Sequence, residues 1–268
     1  MANHTDGTVS RVRASDGKLL ETWTGADNAY AVLVAYGRVL VAGRPDAGPA
    51  GGKLYMIDPS QPAGSVTTAV DDMTIFPMSL AFDGKRIWAA GGLQPPLGVA
   101  IITPASAPPW PVAVITGPSF QFALGAVFDG QNVWTSQGSG NSGSLLKLDS
   151  SGNVLQTVPL DGAGGYPAFD GANIWAPGAN GSVTVVSASS GNVVGTLPGL
   201  GTPRAAAFDG QRILVVAGTR GALFRAADLG SLGSFTISPS PVRDAYEIVS
   251  DGINFWLTIP SLDEIARF

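Results

Sequence analysis

One short phrase recurs along this chain and constrains its fold more than any other feature. Two apolar strands are joined through Asp-Gly in AFDGKRIW (81–88), VFDGQNVW (127–134), AFDGANIW (168–175), AFDGQRIL (207–214) and VSDGINFW (249–256), with a divergent first copy in VAYGRVLV (34–41). The aligned glycines are Gly37, Gly84, Gly130, Gly171, Gly210 and Gly252, separated by 47, 46, 41, 39 and 42 residues. Such a period, with several short strands in each unit, is typical of β-propeller blades. No segment shows the sustained helical period that a helical repeat protein requires.

Each repeat has the pattern of four strands. The clearest copy runs through PAFDG, NIWAPG, SVTVVSA and VVGTLP, with the turn SSGN before its last strand. Asp-Gly between two apolar runs indicates a tight hairpin, because glycine readily adopts the positive φ that such a turn needs. One position after the hairpin is expected to pack between adjacent sheets; it holds Trp88, Trp134, Trp175 and Trp256, and Leu40 and Leu214 in the remaining copies.

These features predict an all-β fold in a single domain over residues 1–268, a six-bladed β-propeller of four-stranded antiparallel blades. The segment GTVSRVRASDGKLLETW resembles the third and fourth strands of a repeat, so we expect the ring to be closed by N-terminal strands joining the last C-terminal blade. Both VSRVRAS and EIARF have the pattern of a third strand, and the sequence leaves open which one takes that position. The start MANHTDG resembles the interior of a repeat and indicates a piece of a longer protein.

Composition and charge exclude several classes of function. The net charge is −5 without any cluster of Lys and Arg, which argues against binding nucleic acid or an anionic membrane. There is no cysteine for a disulfide or a thiolate metal site, and no apolar run long enough for membrane insertion. The first residues contain no apolar segment typical of an export signal, although low Lys content and Gly/Ser/Thr-rich strands favour an exported or extracellular protein weakly. The sequence leaves the cellular location and the oligomeric state of the protein open.

The FDGxxIW phrase, followed by a strand, an SDG-type turn and another strand, resembles the bacterial YVTN and NHL-like propeller repeats. It is also distantly similar to the streptogramin (virginiamycin B) lyase-like superfamily. This resemblance covers nearly the whole chain and implies the fold rather than one function, because such propellers serve as lyases, lactonases, sensors and adhesion modules. The lyase members use histidines as base and metal ligands, whereas this chain has His4 alone, which argues against lyase chemistry.

Carboxylates are the remaining candidates for catalysis. Gluconolactonase-like propellers hold a divalent metal with Glu, Asn and Asp, and Glu247 lies on a predicted inner strand near Asp244. The alternatives for Glu247 are an ion pair with Arg243 or Arg204, a ligand contact or a metal ligand. The aspartates that precede the hairpin glycines are interpreted as caps of backbone amides; they are Asp83, Asp129, Asp170, Asp209 and Asp251. We predict no catalytic residue, no metal ligand and no cofactor.

The loops that enter the inner strands are expected to line the mouth of the channel. They carry aromatic and polar side chains, a combination that suits a polar ligand. The candidate ligand-binding residues are Asp27, Asn28, Tyr30, Phe76, Phe120, Gln121, Tyr166, Arg204, Arg243, Asp244, Tyr246 and Glu247. An equal alternative is that several of the aromatic residues plug the space beneath the loops. Two long Gly/Pro loops, 43–52 and 91–98, are expected on the same face.

Three functions therefore stay open. The sequence favours a non-catalytic recognition or assembly propeller that binds a polar small molecule, glycan, peptide or protein partner at the channel mouth. The first alternative is a metal-dependent propeller hydrolase, lactonase or lyase that uses channel carboxylates. The second is a structural module of a surface layer, fibre or appendage, suggested by the low charge and high glycine content.

Overall fold

The structure is a computed structural model, described here for residues 1–44, 51–92, 95–237, 247–259 and 264–268. Across these ranges the regular structure consists of β-strands. No helix long and apolar enough to cross a membrane occurs in them. The chain divides into two compact units, Met1–Phe128 and Asp129–Phe268.

The strands of the first unit are short and follow one another closely. Their bounds are β1 Ala2–Asn3, β2 Thr8–Val12, β3 Leu19–Thr24, β4 Ala29–Ala35, β5 Arg38–Gly43, β6 Lys53–Ile57, β7 Thr67–Val70, β8 Pro77–Phe82, β9 Ile87–Gly91, β10 Gly98–Ile102, β11 Val112–Thr116 and β12 Ala123–Phe128.

The second unit continues in the same way. Its strands are β13 Val133–Ser139, β14 Ser142–Leu148, β15 Val154–Asp161, β16 Ala168–Phe169, β17 Asn173–Gly178, β18 Ser182–Ser187, β19 Val193–Leu197, β20 Pro203–Phe208, β21 Arg212–Ala217, β22 Arg220–Arg225, β23 Ser231–Thr236, β24 Ile248–Ser250, β25 Phe255–Ile259 and β26 Glu264–Arg267.

Strands that are consecutive in the sequence pair with one another, so that the described residues form seven sheets. These sheets are β1–β3, β4–β7, β8–β11, β12–β15, β16–β19, β20–β23 and β24–β26. Five of them have four strands, whereas the first and the last have three within the described residues. Successive antiparallel sheets of this kind are the blades of a β-propeller, and their number makes it seven-bladed.

The prediction of six blades is therefore wrong. A count of the repeated phrase gives six because the first sheet lacks it: β1 has two residues, and although its turn to β2 ends in Asp6-Gly7, no apolar strand of the usual length precedes that turn and no tryptophan follows it on β2. The predicted closure is also wrong, because β2 and β3 belong to a sheet with β1, separate from the sheet β24–β26. VSRVRAS and EIARF thus do not compete for one position, since they supply β2 and β26 of two different sheets.

The Asp-Gly hairpins have the local geometry that the sequence predicts. In the hairpin between β16 and β17, Gly171 has φ of +98°, and Oδ1 of Asp170 accepts hydrogen bonds from the amides of Ala172 at 2.8 Å and Asn173 at 2.6 Å. The second oxygen has a further partner that the sequence interpretation did not include. The indole Nε1 of Trp175 donates to Oδ2 of Asp170 at 2.7 Å, and Trp88, Trp134 and Trp256 bond in the same way to Asp83, Asp129 and Asp251. Each aspartate thus fixes both its turn and the following tryptophan.

The prediction that the repeated tryptophans are core residues is confirmed for three of the four, whereas Trp256 is half-buried. Trp88, Trp134 and Trp175 are fully buried. Trp175 packs with apolar residues of the following sheet, including Ile213 of β21 and Phe224 of β22, whose ring centroid is 6.0 Å from that of the indole. In the first unit, an apolar cluster likewise joins side chains of the sheets β4–β7 and β8–β11, among them Leu40 and Ile87. Burial of these apolar surfaces between sheets is the main stabilising contribution to the fold.

Candidate ligand-binding site

Two entry loops of the first unit bring together aromatic residues from different sheets. Tyr30 lies on β4, directly after the loop that connects β3 to β4. Phe76 lies directly before β8, at the end of the loop that follows β7. Their ring centroids are 5.2 Å apart with an interplanar angle of 66°, an edge-to-face contact. The sequence placed both residues at the channel mouth without indicating that they touch.

Two further residues extend this contact. The imidazole of His4 meets Tyr30 edge-on, with ring centroids 4.4 Å apart. The guanidinium carbon of Arg44 lies 4.7 Å from the centroid of Phe76, within the range of a cation–π contact. We call His4, Tyr30, Arg44 and Phe76 the Tyr30 cluster. It combines side chains from the turn after β1, from β4, from the residue after β5 and from the loop before β8.

Hydrogen bonds within the loop before β8 hold Phe76 in position. Oδ1 of Asp72 accepts hydrogen bonds from the amides of Thr74 at 2.6 Å and Gly51 at 3.0 Å. The amide of Gly52 donates to the carbonyl of Ile75 at 2.7 Å, which ties this loop to the segment before β6. Thr74 has φ of +63°, a conformation that the carboxylate cap helps to maintain.

Near Tyr30 and Arg44, the backbone of the loop before β4 approaches the end of β5 closely. A Cβ at Gly43 would lie 2.5 Å from the carbonyl oxygen of Asp27 and 3.0 Å from the ring of Tyr55, so only glycine fits there. This contact lets the loop before β4 lie against the end of β5. The amide of Arg44 then donates to the carbonyl of Asn28 at 3.3 Å, and Asn28 itself has φ of +46°.

The four side chains of the Tyr30 cluster differ in how far they are exposed to solvent. Phe76 is 9% exposed and serves mainly as a platform. Tyr30 and Arg44 are half-buried, and His4 is exposed. Within the described ranges, Arg44 makes no ion pair and no side-chain hydrogen bond besides its contact with Phe76. The solvent-facing part of the cluster is therefore a cationic head and two ring edges.

Asp27, in the loop before β4, is exposed beside the Tyr30 cluster, and its negative charge acts on the buried hydroxyl of Tyr55. Burial raises the pKa of the Tyr55 hydroxyl to about 12, and the negative charges of Asp27 and Asp71 add to this shift. The hydroxyl of Tyr55 is buried without a hydrogen-bond partner among the described residues. Asp27 thus offers an exposed hydrogen-bond acceptor beside the Tyr30 cluster, while the buried hydroxyl of Tyr55 stays neutral.

The other predicted residues of the first unit have different surroundings. Phe120 is 7% exposed and its amide donates to the carbonyl of Gly117, so it plugs its own loop. Gln121 is exposed. Neither residue is part of the Tyr30 cluster.

In the second unit, Tyr166 and Arg204 are neighbours through their backbones. The amide of Tyr166 donates to the carbonyl of Arg204 at 2.6 Å, and the carbonyl of Tyr166 accepts from Ala206 at 3.0 Å. The Tyr166 ring packs against the apolar cluster that contains Ala205 and Ala207. Both predicted residues are half-buried, and Tyr166 has largely a packing role.

Glu247 precedes β24, where its carbonyl accepts a hydrogen bond from the amide of Thr258 at 3.2 Å. Its side chain is half-buried, and loss of solvation raises the pKa of its carboxyl to about 7. Arg243, Asp244 and Tyr246 lie outside the described residues, so the ion pair of Glu247 with Arg243 or Arg204 and its place beside Asp244 in a carboxylate site stay predictions. No group of three His, Asp or Glu side chains that could hold a metal ion occurs among the residues that the structure describes.

The sequence interpretation missed Arg44, and it considered His4 only as evidence against lyase chemistry. The only signal for Arg44 was its place in the long 43–52 loop, of which residues 45–50 are not described. Nothing in the sequence relates Arg44 to Phe76, which follows 32 positions later.

No protein-family model matches this chain. No curated protein matches it either. Many solved structures do match at low identity. A catalytically inactive virginiamycin B lyase from Staphylococcus aureus, solved with quinupristin, has a TM-score of 0.74 and 12% identity over 98% of this chain and 88% of its own.

Two other solved structures match this chain to a similar degree, and their proteins are of other kinds. The WD40 β-propeller domain of Doa1 has a TM-score of 0.73 and 14% identity, covering 99% of this chain and 87% of that one. A functionally unknown protein from Desulfotomaculum acetoxidans has a TM-score of 0.73 and 13% identity, covering 99% and 96%. Similarity at this identity shows the fold alone, a β-propeller. The resemblance to YVTN and NHL-like repeats stays a prediction.

Proposed function

We propose that this chain is a recognition module, a β-propeller that binds a polar ligand through the Tyr30 cluster. The observation that carries the proposal is the cation–π contact of Arg44 with Phe76, whose ring also contacts that of Tyr30. Three side chains from separate strands and loops converge there on one solvent-facing patch. Rigid aromatic groups combined with a few polar groups are the usual composition of ligand sites in propellers and other scaffolds.

The contacts within the cluster favour binding over a merely structural role. A core contact would bury all its members, yet His4 is exposed and Tyr30 and Arg44 are half-buried. The hydrogen bonds of Asp72 and the glycine contact at Gly43 hold the surrounding backbone in position, so the side chains are arranged before a ligand arrives. Such preorganisation reduces the entropic cost of binding.

The test is thermal unfolding against a panel of saccharides, short peptides and divalent metals, followed by calorimetry on each ligand that raises the melting temperature. Tyr30→Ala should weaken the binding of that ligand at least about tenfold, since it removes a contact to Phe76 and one wall of the patch. Tyr36→Ala is the matched control, because Tyr36 is 53% exposed and stands after the other end of β4. Equal binding by both variants would contradict the proposal.

An assembly role is the second candidate, and one observation favours it. The outer strands of the second unit expose large apolar side chains at their second position in consecutive sheets, namely Leu155 on β15, Val194 on β19 and Leu232 on β23, and Val193 beside Val194 is exposed as well. Exposed apolar residues that recur in this way suit a protein contact. The oligomeric state, measured by light scattering for the wild type and for Val193→Lys, tests this candidate; a monomer in both cases would contradict self-assembly.

A further inference from the structure

The guanidinium of Arg44 lies against the ring of Phe76, with its central carbon 4.7 Å from the ring centroid. A guanidinium carries five N–H donors, and a cation–π contact does not replace their hydrogen bonds to oxygen acceptors. Within the part of the chain that the structure describes, no carboxylate forms an ion pair with Arg44.

The arginines elsewhere in the first unit differ from Arg44. Arg38 pairs with Asp58, Arg86 with Asp83, and Arg11 with Glu21. Arg13 also pairs locally, with Asp16. Arg44 is thus a positioned cation without an internal counter-charge among the described residues. A planar fork of this kind matches the two oxygens of a carboxylate.

The surroundings of Arg44 limit the charge of its partner. Asp6 and Asp27 are both exposed near this end of the unit, where a Cβ at Gly7 would lie 3.5 Å from Oδ1 of Asp27. Two nearby carboxylates repel a ligand with several negative charges, and the chain as a whole carries a net charge of −5. A partner with one carboxylate and several neutral hydroxyl groups fits better, because exposed carboxylates such as Asp27 accept hydrogen bonds from hydroxyls.

We infer that the Tyr30 cluster binds an acidic saccharide, a sugar whose ring carries a carboxylate, with that carboxylate on the guanidinium of Arg44. This inference rests on the proposed function and names the class of its ligand. The rings of Tyr30 and His4 contact the apolar face of the sugar, and Asp27 accepts hydrogen bonds from its hydroxyl groups. Acidic peptides fit less well, since they bring additional charges toward Asp6 and Asp27.

The test compares D-galacturonic acid, which carries one carboxylate, with its methyl ester and with neutral D-galactose in calorimetric titrations of the wild-type chain. The acid should bind at least about tenfold more tightly than the ester, because the ester lacks the charge that strengthens the bonds from Arg44. This preference should decrease as salt rises from about 50 mM to about 500 mM, since screening weakens a partly exposed ion pair. The affinity for D-galactose should not change with salt.

Variants separate the class of ligand from the proposed function. Arg44→Gln should remove the preference for the acid, Arg44→Lys should restore part of it, and Arg38→Gln, at a paired arginine outside the cluster, should leave it unchanged. Equal binding of acid and ester that is still lost in Tyr30→Ala would overturn the inference and leave the proposed function in place. Stronger binding of a sulfated saccharide or of a glutamate hexapeptide, dependent on Arg44, would also overturn it. If none of the saccharides binds in a manner that depends on Arg44, the inference is wrong.

Discussion

The indole N–H of Trp175 donates a 2.7 Å hydrogen bond to Oδ2 of Asp170, the same carboxylate whose Oδ1 caps the amide of Asn173 at 2.6 Å. A single side chain thus joins a hairpin turn to the residue that packs against the next sheet. The same relationship recurs at the hairpins that begin with Asp83, Asp129 and Asp251. This hydrogen bond explains why the repeated phrase contains both an aspartate and a tryptophan.

Replacing Asp170 by Asn should destabilise the protein by about 1–3 kcal/mol, because the new amide offers a donor where either the Trp175 indole or the turn amides need an acceptor. Urea unfolding of the variant measures this loss. Asp149→Asn is the control: Asp149 also caps backbone amides, at Ser151 and Asn153, but bonds to no tryptophan. A loss in Asp170→Asn no larger than that in the control would contradict the role of the indole bond.

The hairpin carboxylates should make stability depend on pH in acid. Burial acts to raise the pKa of Asp83, but hydrogen bonds from the Trp88 indole and from the amides of Lys85 and Arg86 outweigh it and hold that pKa below its ordinary value of 3.8. Hydrogen bonds from the amide of Asn254 and the indole of Trp256 likewise lower the pKa of Asp251.

A carboxyl group whose pKa is lower in the folded state contributes stability above its unfolded pKa, and this contribution is lost as pH falls through the folded value. The melting temperature should therefore fall steeply below about pH 4. Asp83→Asn should flatten that fall, measured by circular dichroism over about pH 2–6. Parallel curves for the variant and the wild type would show that Asp83 does not carry this dependence.

Glu247 should act in the opposite direction. Its pKa is raised from 4.5 to about 7 by burial, so the folded state binds the proton more tightly than the unfolded chain does. The corresponding stability is present below the unfolded value of 4.5 and is lost as pH rises through about 7. Glu247→Gln, which cannot ionise, should match the wild type near pH 4 and exceed its free energy of unfolding near about pH 8.

Glu21→Gln is the control for Glu247, since Glu21 lies on the surface of β3 and pairs with Arg11. It should show no gain near about pH 8. An unchanged difference between Glu247→Gln and the wild type at both pH values would mean that the Glu247 carboxyl is not desolvated in solution.

Gly91, at the end of β9, allows the backbone of Phe76 in the Tyr30 cluster to pack closely against it. A Cβ at this position would lie 1.7 Å from the carbonyl oxygen of Phe76, so Gly91→Ala must displace the backbone that carries the Phe76 ring. We expect a loss of about 1–3 kcal/mol or more in urea unfolding, together with weaker ligand binding at the cluster. Gly64→Ala is the control, because nothing lies within 4 Å of a Cβ there. Unaltered stability in Gly91→Ala would contradict this contact.

The sequence predicts sheets well wherever the Asp-Gly hairpin is present, because its turn chemistry and the following tryptophan are local signals. It fails at the first sheet, where Asp6-Gly7 follows a strand of only two residues and no tryptophan follows on β2, so that the full phrase cannot be recognised. The predicted closure fails for a related reason: a strand pattern indicates which position a segment resembles, but not the sheet it joins. The pattern of GTVSRVRASDGKLLETW is correct for β2 and β3, while its assignment to the last blade is not.

For the candidate site, too, the sequence predicts some residues and misses others. Tyr30 and Phe76 could be named because each lies where an entry loop of the repeat meets an inner strand, a position that can be counted along the chain. Arg44 could not, since its role depends on a contact between segments of two different sheets. The burial of Phe120 depends on how its loop folds back, which residue type alone does not determine.

The most direct test of the account is to map ligand binding residue by residue with two-dimensional NMR spectra of the ¹⁵N-labelled chain, titrated with D-galacturonic acid. The account predicts that the largest shift changes fall on the amides of Asn28, Tyr30, Arg44 and Phe76, and that they disappear in Tyr30→Ala. Shift changes centred instead on Tyr166 and Arg204, or on the outer strands β15 and β19, would contradict the claim that the Tyr30 cluster is the binding site.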